Sequence, residues 1–520
     1  MLCGLALQRT ISKPTWRIDA IGFTAQPPVT GIFIAKCCPH PRAGVVHVSV
    51  QSIALASAPA GTSPARPAIE ARTKLLLEGP VLPTLLRLSA PNVLNLLAIA
   101  GMITFDGLFM GRLGADALAG ISLAFPFIML IQHTAASGMG GGVSSAIARA
   151  LGAGKRDVAN ALVLHTVVLA LGLAAVFSTV LLLSAPTLFR WMGGHGAMLT
   201  AALNYANVAF SAAISICFLN LLGSAVRGTG NMGLPATVIV ASVLGHILIS
   251  PLLIFGWGPF PALGPAGGGW GLMTSFGAGS LVLFAYLYSG RSLVRLTFAG
   301  ARLRWPLFAD ILKVGVPGLL NVIITNLSVV LLTGIAGRLG QETAIGYALG
   351  ARLEYILIPL AFGFGTSIVA MVGTNWGARQ YQRARSVAWT GAGTIAVACT
   401  LIGVFFAIFP RLWLHLFSDA EDIVDLATAY LRVVGPSYGL YGLGMGLYFA
   451  TQGFGNALWT VAANAVRLLV SGACALAAVY GVGLGAPGFF VSIALGFCAY
   501  AALTLVAACR VREPPPAATG

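Results

Sequence analysis

Residues 86–114, LRLSAPNVLNLLAIAGMITFDGLFMGRLG, return as residues 312–340, LKVGVPGLLNVIITNLSVVLLTGIAGRLG. At a gap-free offset of 226, Leu86, Pro91, Asn95, Gly111, Arg112, Leu113 and Gly114 meet identical residues at Leu312, Pro317, Asn321, Gly337, Arg338, Leu339 and Gly340. After one deleted residue the match continues at offset 225. Gly138, Gly140, Gly152, Ala153, Tyr205, Gly228, Gly230 and Asn231 meet Gly363, Gly365, Gly377, Ala378, Tyr430, Gly453, Gly455 and Asn456. A register held within one residue over about half the chain marks a duplication. The fold must therefore be two copies of one unit.

The solvent of that unit is lipid. The chain has 520 residues, 58% of them hydrophobic and 8% charged, and a mean hydropathy of +0.89. That is too apolar to hydrate the surface of a globular protein. The net charge of +16 does not indicate nucleic acid, because most Lys and Arg fall between apolar spans, where topology accounts for them. The eight cysteines include Cys3, Cys37 and Cys38 near the N-terminus and single intramembrane positions such as Cys217 and Cys399. They show neither a disulfide framework nor zinc-ligand spacing, so no metal site is expected. Residues 1–75 are rich in Ala, Pro, Ser, Thr and Gly and have no counterpart in the second copy. They read as a disordered tail or as the product of a misassigned start; a short C-terminal tail follows at 510–520.

Segments able to cross about 30 Å of hydrocarbon lie near 84–111, 117–147, 158–185, 200–226, 233–256, 267–290, 311–335, 343–373, 383–409, 426–452, 457–481 and 486–509. The expected fold is an all-α integral membrane protein with twelve transmembrane helices in two six-helix repeats. The lobes are 84–290 and 311–509, joined by a linker at 291–310. Six is even, so both copies enter the bilayer from the same side and the repeats are parallel rather than inverted. Lys155 and Arg156, then Arg291, Arg295, Arg302 and Arg304, then Arg379, Arg383 and Arg385 fall in loops on one face. The loop after the ninth span is acidic, with Asp419, Glu421, Asp422 and Asp425. The positive-inside rule then places both termini in the cytoplasm of a cell whose plasma membrane holds the protein.

With Pro91, Asp106 and GRLG at 111–114, GMGGG and SSAIARALGAGKR within 138–156, VRGTGN at 226–231, SPLLIFG at 250–256 and GTNWGARQ at 373–380, residues 84–509 resemble the multidrug and toxic compound extrusion (MATE) family. The resemblance implies two six-helix lobes around a central cleft. It also implies a cation-coupled antiporter that expels organic, often cationic and amphipathic, compounds by alternating access. Small drug-like molecules and membrane lipid are the implied partners, a monomer is expected, and no cofactor beyond the coupling ion is called for.

Only Asp106 and Glu354, among 14 acidic residues, lie well inside the spans. A central charge costs about 2.5–3.5 kcal/mol on insertion scales, so each should face the bundle interior and find a partner. Desolvation favours the uncharged carboxyl group, which suits a proton carrier. Asp106 could instead snorkel to the interface near Gly111. By resemblance Asp106 matches the family's first-helix aspartate. In the fifth span, where relatives often carry Asn and Asp four residues apart, this chain has His246 and Ser250, one turn apart on one helical face. Fewer carboxylate oxygens disfavour Na⁺ there, and an Asp106–His246 pair could hold a proton; H⁺ is the preferred coupling ion and Na⁺ the alternative. Thr274 matches a family threonine near that site, or serves only interhelical packing. Glu354 is either a second coupling carboxylate or a partner of Arg467, and Thr325 stands where some relatives have a glutamate.

Pro91 and Pro317 make matched hinges possible or are first-turn prolines. The glycines at 138–142, echoed at Gly363 and Gly365, permit close helix approach. For the cleft, Phe125, Met129, Gln132, Phe362, Tyr438, Tyr441 and Met445 offer aromatic and thioether surface suited to flat cations; packing is the competing role for each. An enzyme is not expected, because seven scattered His and two deep carboxylates form no catalytic cluster. A lipid-linked saccharide flippase of the wider superfamily is the alternative. It would call for extra helices and a strongly basic cavity.

Overall fold

The computed structural model describes residues 65–298, 302–417 and 420–511. Residues 1–64, with Cys3, Cys37 and Cys38, the linker positions 299–301, Asp419 and the tail from 512 onward lie outside the described residues. The first lobe comprises α2 (Val81–Leu113), α3 (Ala115–His133), a π-helical stretch Thr134–Met139 running into α4 (Gly140–Gly152), α5 (Arg156–Trp191), α6 (Gly196–Ser211), α7 (Ala213–Arg227), α8 (Gly233–Phe255) and α9 (Pro265–Tyr288). The second repeats it with α10 (Trp305–Leu339), α11 (Gln341–Ala351), α12 (Glu354–Gly377), α13 (Tyr381–Ile408), the short α14 (Pro410–Leu414), α15 (Glu421–Val434), α16 (Tyr438–Phe454), α17 (Leu458–Leu476) and α18 (Gly485–Cys509). Ahead of both stands α1 (Ala65–Glu78).

Every expected span is helical. Among the described residues ten helices are long and apolar enough to cross a bilayer, or eleven when the pair α6 and α7, bent by 41° at Ala212, counts as one. The expected span at 426–452 is two pieces, α15 and α16, joined by a 3-10 turn at Gly435–Ser437. There Gly403 of α13 meets Gly435 backbone to backbone, a contact that leaves no room for a side chain. The repeat extends to backbone angles. Gly114 and Gly340 share φ 127° and 129°, and Gly230 and Gly455 share φ 79° and 84°, values reserved for glycine.

Two boundaries and the placement of two prolines differ from expectation. The tail expected through residue 75 ends earlier, because α1 starts at Ala65. It is rich in the helix formers Ala, Leu, Lys and Glu, buries Leu76, and its Leu76 carbonyl accepts a 3.0 Å hydrogen bond from Asn375 Nδ2. The linker is shorter than 291–310, since α10 begins at Trp305 with Pro306 in its first turn, where proline is best tolerated. Pro91 and Pro317 are not first-turn residues: they lie inside α2 and α10.

Those prolines sit where each helix changes lobes. Leu85 near the start of α2 belongs to the core of the second lobe, whereas Met102, Phe109 and Met110 belong to the core of the first. In α10 the order is reversed, with Ile311 in the first lobe's core and Leu332, Ile335 and Ala336 in the second's. Glycines let the crossings come close. A Cβ on Gly138 would lie 3.0 Å from Leu319 N, and one on Gly363 would lie 2.9 Å from Val93, the same contact made twice. At the end carrying the basic loops the lobes meet directly. Gly152 and Gly377 abut the backbones of Thr374 and Arg149, while Arg149 Nη2, 2.7 Å from Asp310 Oδ1, ties α4 to the half of α10 that packs on the first lobe. Toward the other end α3 packs on α6 and α11 on α15, each within its own lobe.

Candidate coupling site in the first lobe

Asp106 projects from the second half of α2, and α8 packs alongside. His246 is fully buried on α8, and its Nε2 lies 2.7 Å from Asp106 Oδ1, whose side chain is only 14% exposed. The carboxylate therefore turns into the lobe, toward a partner on the next helix. A pair this close, out of water, strongly couples the charge of one group to that of the other. Such a pair can hold a proton between a carboxylate and an imidazole.

Ser250 stands one turn further along α8, fully buried. Its Oγ and the Nδ1 of His246 make no hydrogen bond of regular geometry. Both face α9 at Gly271, whose backbone lies beside the imidazole; a Cβ there would come 3.0–3.2 Å from Ser250. Tyr205 of α6 stands within electrostatic range of Asp106. The set offers the two oxygens of one carboxylate, one hydroxyl and an imidazole. That donor set fits a proton better than Na⁺, a hard cation that prefers an all-oxygen shell. Thr274 does not join it: its hydroxyl is exposed and bonds the Trp270 and Gly271 carbonyls of its own helix at 2.8 and 3.2 Å, the usual escape for a threonine facing lipid.

Glu354 stands at the start of α12. Tyr430 Oη donates to its Oε1 at 2.8 Å, and Tyr438 Oη lies 3.4 Å from Tyr430 Oη. Arg467 on α17 acts on it through space while bonding Asn464 Oδ1 at 2.8 Å and Ser328 Oγ at 3.2 Å. Asn464 Nδ2 in turn reaches Asn321 Oδ1 at 2.8 Å and Thr325 Oγ1 at 3.0 Å. Arg352 is elsewhere, its guanidinium 4.8 Å from the Phe417 ring centroid. The second lobe thus carries an interlinked polar core with one carboxylate and one guanidinium.

The expected cleft residues separate. Phe125, Met129 and Phe362 are half-buried. Gln132 is buried, accepting from Asn220 Nδ2 at 3.2 Å. Tyr438, Tyr441 and Met445 are corrected to core positions in this conformation: Tyr441 packs 5.0 Å from Phe497 and 5.8 Å from the Arg467 guanidinium, and Met445 Sδ lies 3.8 Å from Tyr500 Oη.

The MatE family model matches residues 91–252 and again 317–476, one match per copy of the repeat. The chain belongs to the MatE family. Relatives include a protein of Shewanella oneidensis named FAD transporter, 27% identical over 398 residues, covering 76% of this chain and 87% of that protein. The multidrug export protein MepA of Staphylococcus aureus is 25% identical over 445 residues, covering 84% and 95%. Among solved structures, a transporter of the MOP superfamily from Pyrococcus furiosus superposes with a TM-score of 0.76 at 25% identity, over 84% of this chain and 97% of that one. An outward-facing multidrug resistance MATE family transporter gives 0.75 at 25% identity, over 84% and 96%. As a MatE protein this chain is a multi-pass membrane transporter of small molecules, not an enzyme.

Two features of this MatE protein escaped sequence reasoning. Tyr205 and Tyr430 occupy matched positions of the repeat, Tyr430 bonding Glu354 and Tyr205 within electrostatic range of Asp106; the identity at offset 225 was the available signal. The Arg149–Asp310 pair ties α4 to the start of α10 across 161 residues, and no local pattern announces it.

Proposed function

We propose that this MatE transporter is a proton-coupled antiporter, seated in the plasma membrane with its basic loops and both termini in the cytoplasm, that exports amphipathic organic compounds, organic cations among them. The observation that carries the coupling is the buried 2.7 Å contact between Asp106 and His246. A proton arriving from outside neutralises Asp106 and frees His246 from its counter-charge; loss of the proton restores the pair. Because α2 belongs to both lobes, a change at Asp106 acts on the helix that joins them. With basic loops inside, the lobe contacts at Gly152 and Gly377 close the cytoplasmic end, and compounds leave toward the other side. Relatives named for FAD and for drugs support flat, partly apolar solutes. The test is dye transport in everted vesicles with a proton or a sodium gradient imposed separately. Asp106→Asn is expected to abolish proton-driven transport of an ethidium-type dye while the protein still inserts and folds. Full retention of transport, or transport driven by sodium alone, overturns the reading.

A further inference from the structure

The glycine run of α4 and the VRGTGN string enclose a feature that proton coupling does not use. Between the lobes lies a cavity of ≈ 10 Å³, about the space of one water, lined by Ser144, Ser224 and Arg227 from the first lobe and by Thr366 and Gln452 from the second. Arg227 is buried and takes part in none of the ion pairs among the described residues. Its Nη2 donates to Ser224 Oγ at 2.9 Å and to the Asn220 carbonyl at 3.4 Å. A guanidinium carries five N–H donors, so most of its donor capacity is not taken up by these bonds.

The facing groups are also underused. Gln452 is fully buried and neither of its side-chain amide atoms makes a hydrogen bond of regular geometry, although the Tyr448 hydroxyl stands beside it. Ser144 Oγ is buried and unpartnered too. Arg227 and Gln452 are 225 residues apart, the offset of the repeat, so each lobe places one long polar side chain at the same point of its fold. Two glycines keep the space clear: a Cβ on Gly140 would fall 2.5 Å from Ser224 Oγ, and one on Gly141 would fall 2.2 Å from Gln452 Oε1. An unpaired cation costs several kcal/mol to bury, and an ionisable residue at membrane depth is by default a functional group whose partner is to be named.

We infer that Arg227, Ser144, Ser224 and Gln452 form an anion-binding subsite that takes a phosphate or carboxylate group of the exported compound when the lobes part at the basic end. The inference rests on the efflux reading and narrows it: compounds bearing an anionic group beside an apolar ring system are preferred. Arg227 supplies a planar fork matched to such groups. The hydroxyls and the Gln452 amide complete the shell from both lobes. In the conformation described here the lobes have closed on the subsite and only a water fits.

The test uses the full chain and two probes that share one ring, riboflavin and its phosphate ester FMN. FMN is expected to raise the apparent Tm of the wild-type protein in detergent at concentrations where riboflavin does not, and to be exported from proteoliposomes with about a tenfold or greater preference, the scale of one charge-assisted contact. Within Arg227→Gln the FMN-to-riboflavin ratio is expected to fall to about unity; Arg227→Lys keeps part of it. Because each ratio is read inside one variant, a general loss of activity divides out. Repeating the Tm series with and without phosphatidylglycerol distinguishes the sources of the anion: stabilisation by that lipid in place of FMN keeps the subsite and assigns it a lipid headgroup. Equal stabilisation and export of the two flavins by the wild type, with no response to the lipid, overturns the inference while leaving proton-driven dye export to stand or fall separately.

Discussion

At the scale of single residues, the buried contact between Asp106 and His246 means that neither side chain can be changed alone without stranding the other. Replacing His246 by Phe leaves a buried carboxylate without its partner, a loss that costs about 3–5 kcal/mol in comparable pairs unless the carboxyl takes up a proton. We expect His246→Phe to lose thermal stability and proton-driven export. The double variant Asp106→Asn, His246→Gln should recover stability but not export, a cycle read by Tm and dye transport in parallel. Arg379 offers a different check. It is the one non-glycine residue with positive φ among those described, at 61°, and its partner in the repeat is Gly154, at 72°. Left-handed backbone costs an L-residue about 1–2 kcal/mol, so Arg379→Gly should raise the apparent Tm with little effect on export. The proton pair was legible in the sequence because intramembrane carboxylates are rare and His246 and Ser250 repeat at one helical turn. The network around Glu354 was legible only in part, since Tyr430, Tyr438 and Arg467 come from separate helices and no local period links them.

At the scale of helices, the expected spans were all found helical, because apolar length is a strong signal, although the one at 426–452 is broken into two pieces. The faces they present were not, because a helix apolar all round does not reveal which side meets protein. That is why Tyr438, Tyr441 and Met445 proved to be core, and why Thr274 proved to be exposed. The docked helix α1 was hidden for another reason. It has no counterpart in the second copy, and the bond that docks it comes from a partner distant in sequence, Asn375. Proline in a helix interior is a different case, costing about 3 kcal/mol relative to alanine, and α2 carries it where its halves pack on different lobes. Pro91→Ala is therefore expected to stabilise the transporter against heat while slowing export, measured as Tm and initial efflux rate; faster export in the variant would remove the hinge from the mechanism.

At the scale of the molecule, the two lobes meet at the basic end through glycine contacts. Gly152→Ala, whose Cβ would strike the Thr374 carbonyl of the other lobe, should drive the lobes apart there. The substitution Ser144→Cys, inside the interlobe cavity, should then react faster with a membrane-impermeant thiol reagent applied from the basic side. Equal labelling with and without Gly152→Ala would remove that contact from the closure. The exchange of helix halves between lobes has a further consequence, for assembly. A lone six-helix unit would leave the first half of its opening helix without a core to pack on, and the core of its own fold would miss that half from a neighbour. A single six-helix unit of this kind would complete its core only as a pair of copies that trade the start of their first helix. Within the one chain the two halves differ in chemistry, with a carboxylate at Asp106 and a leucine at Leu332.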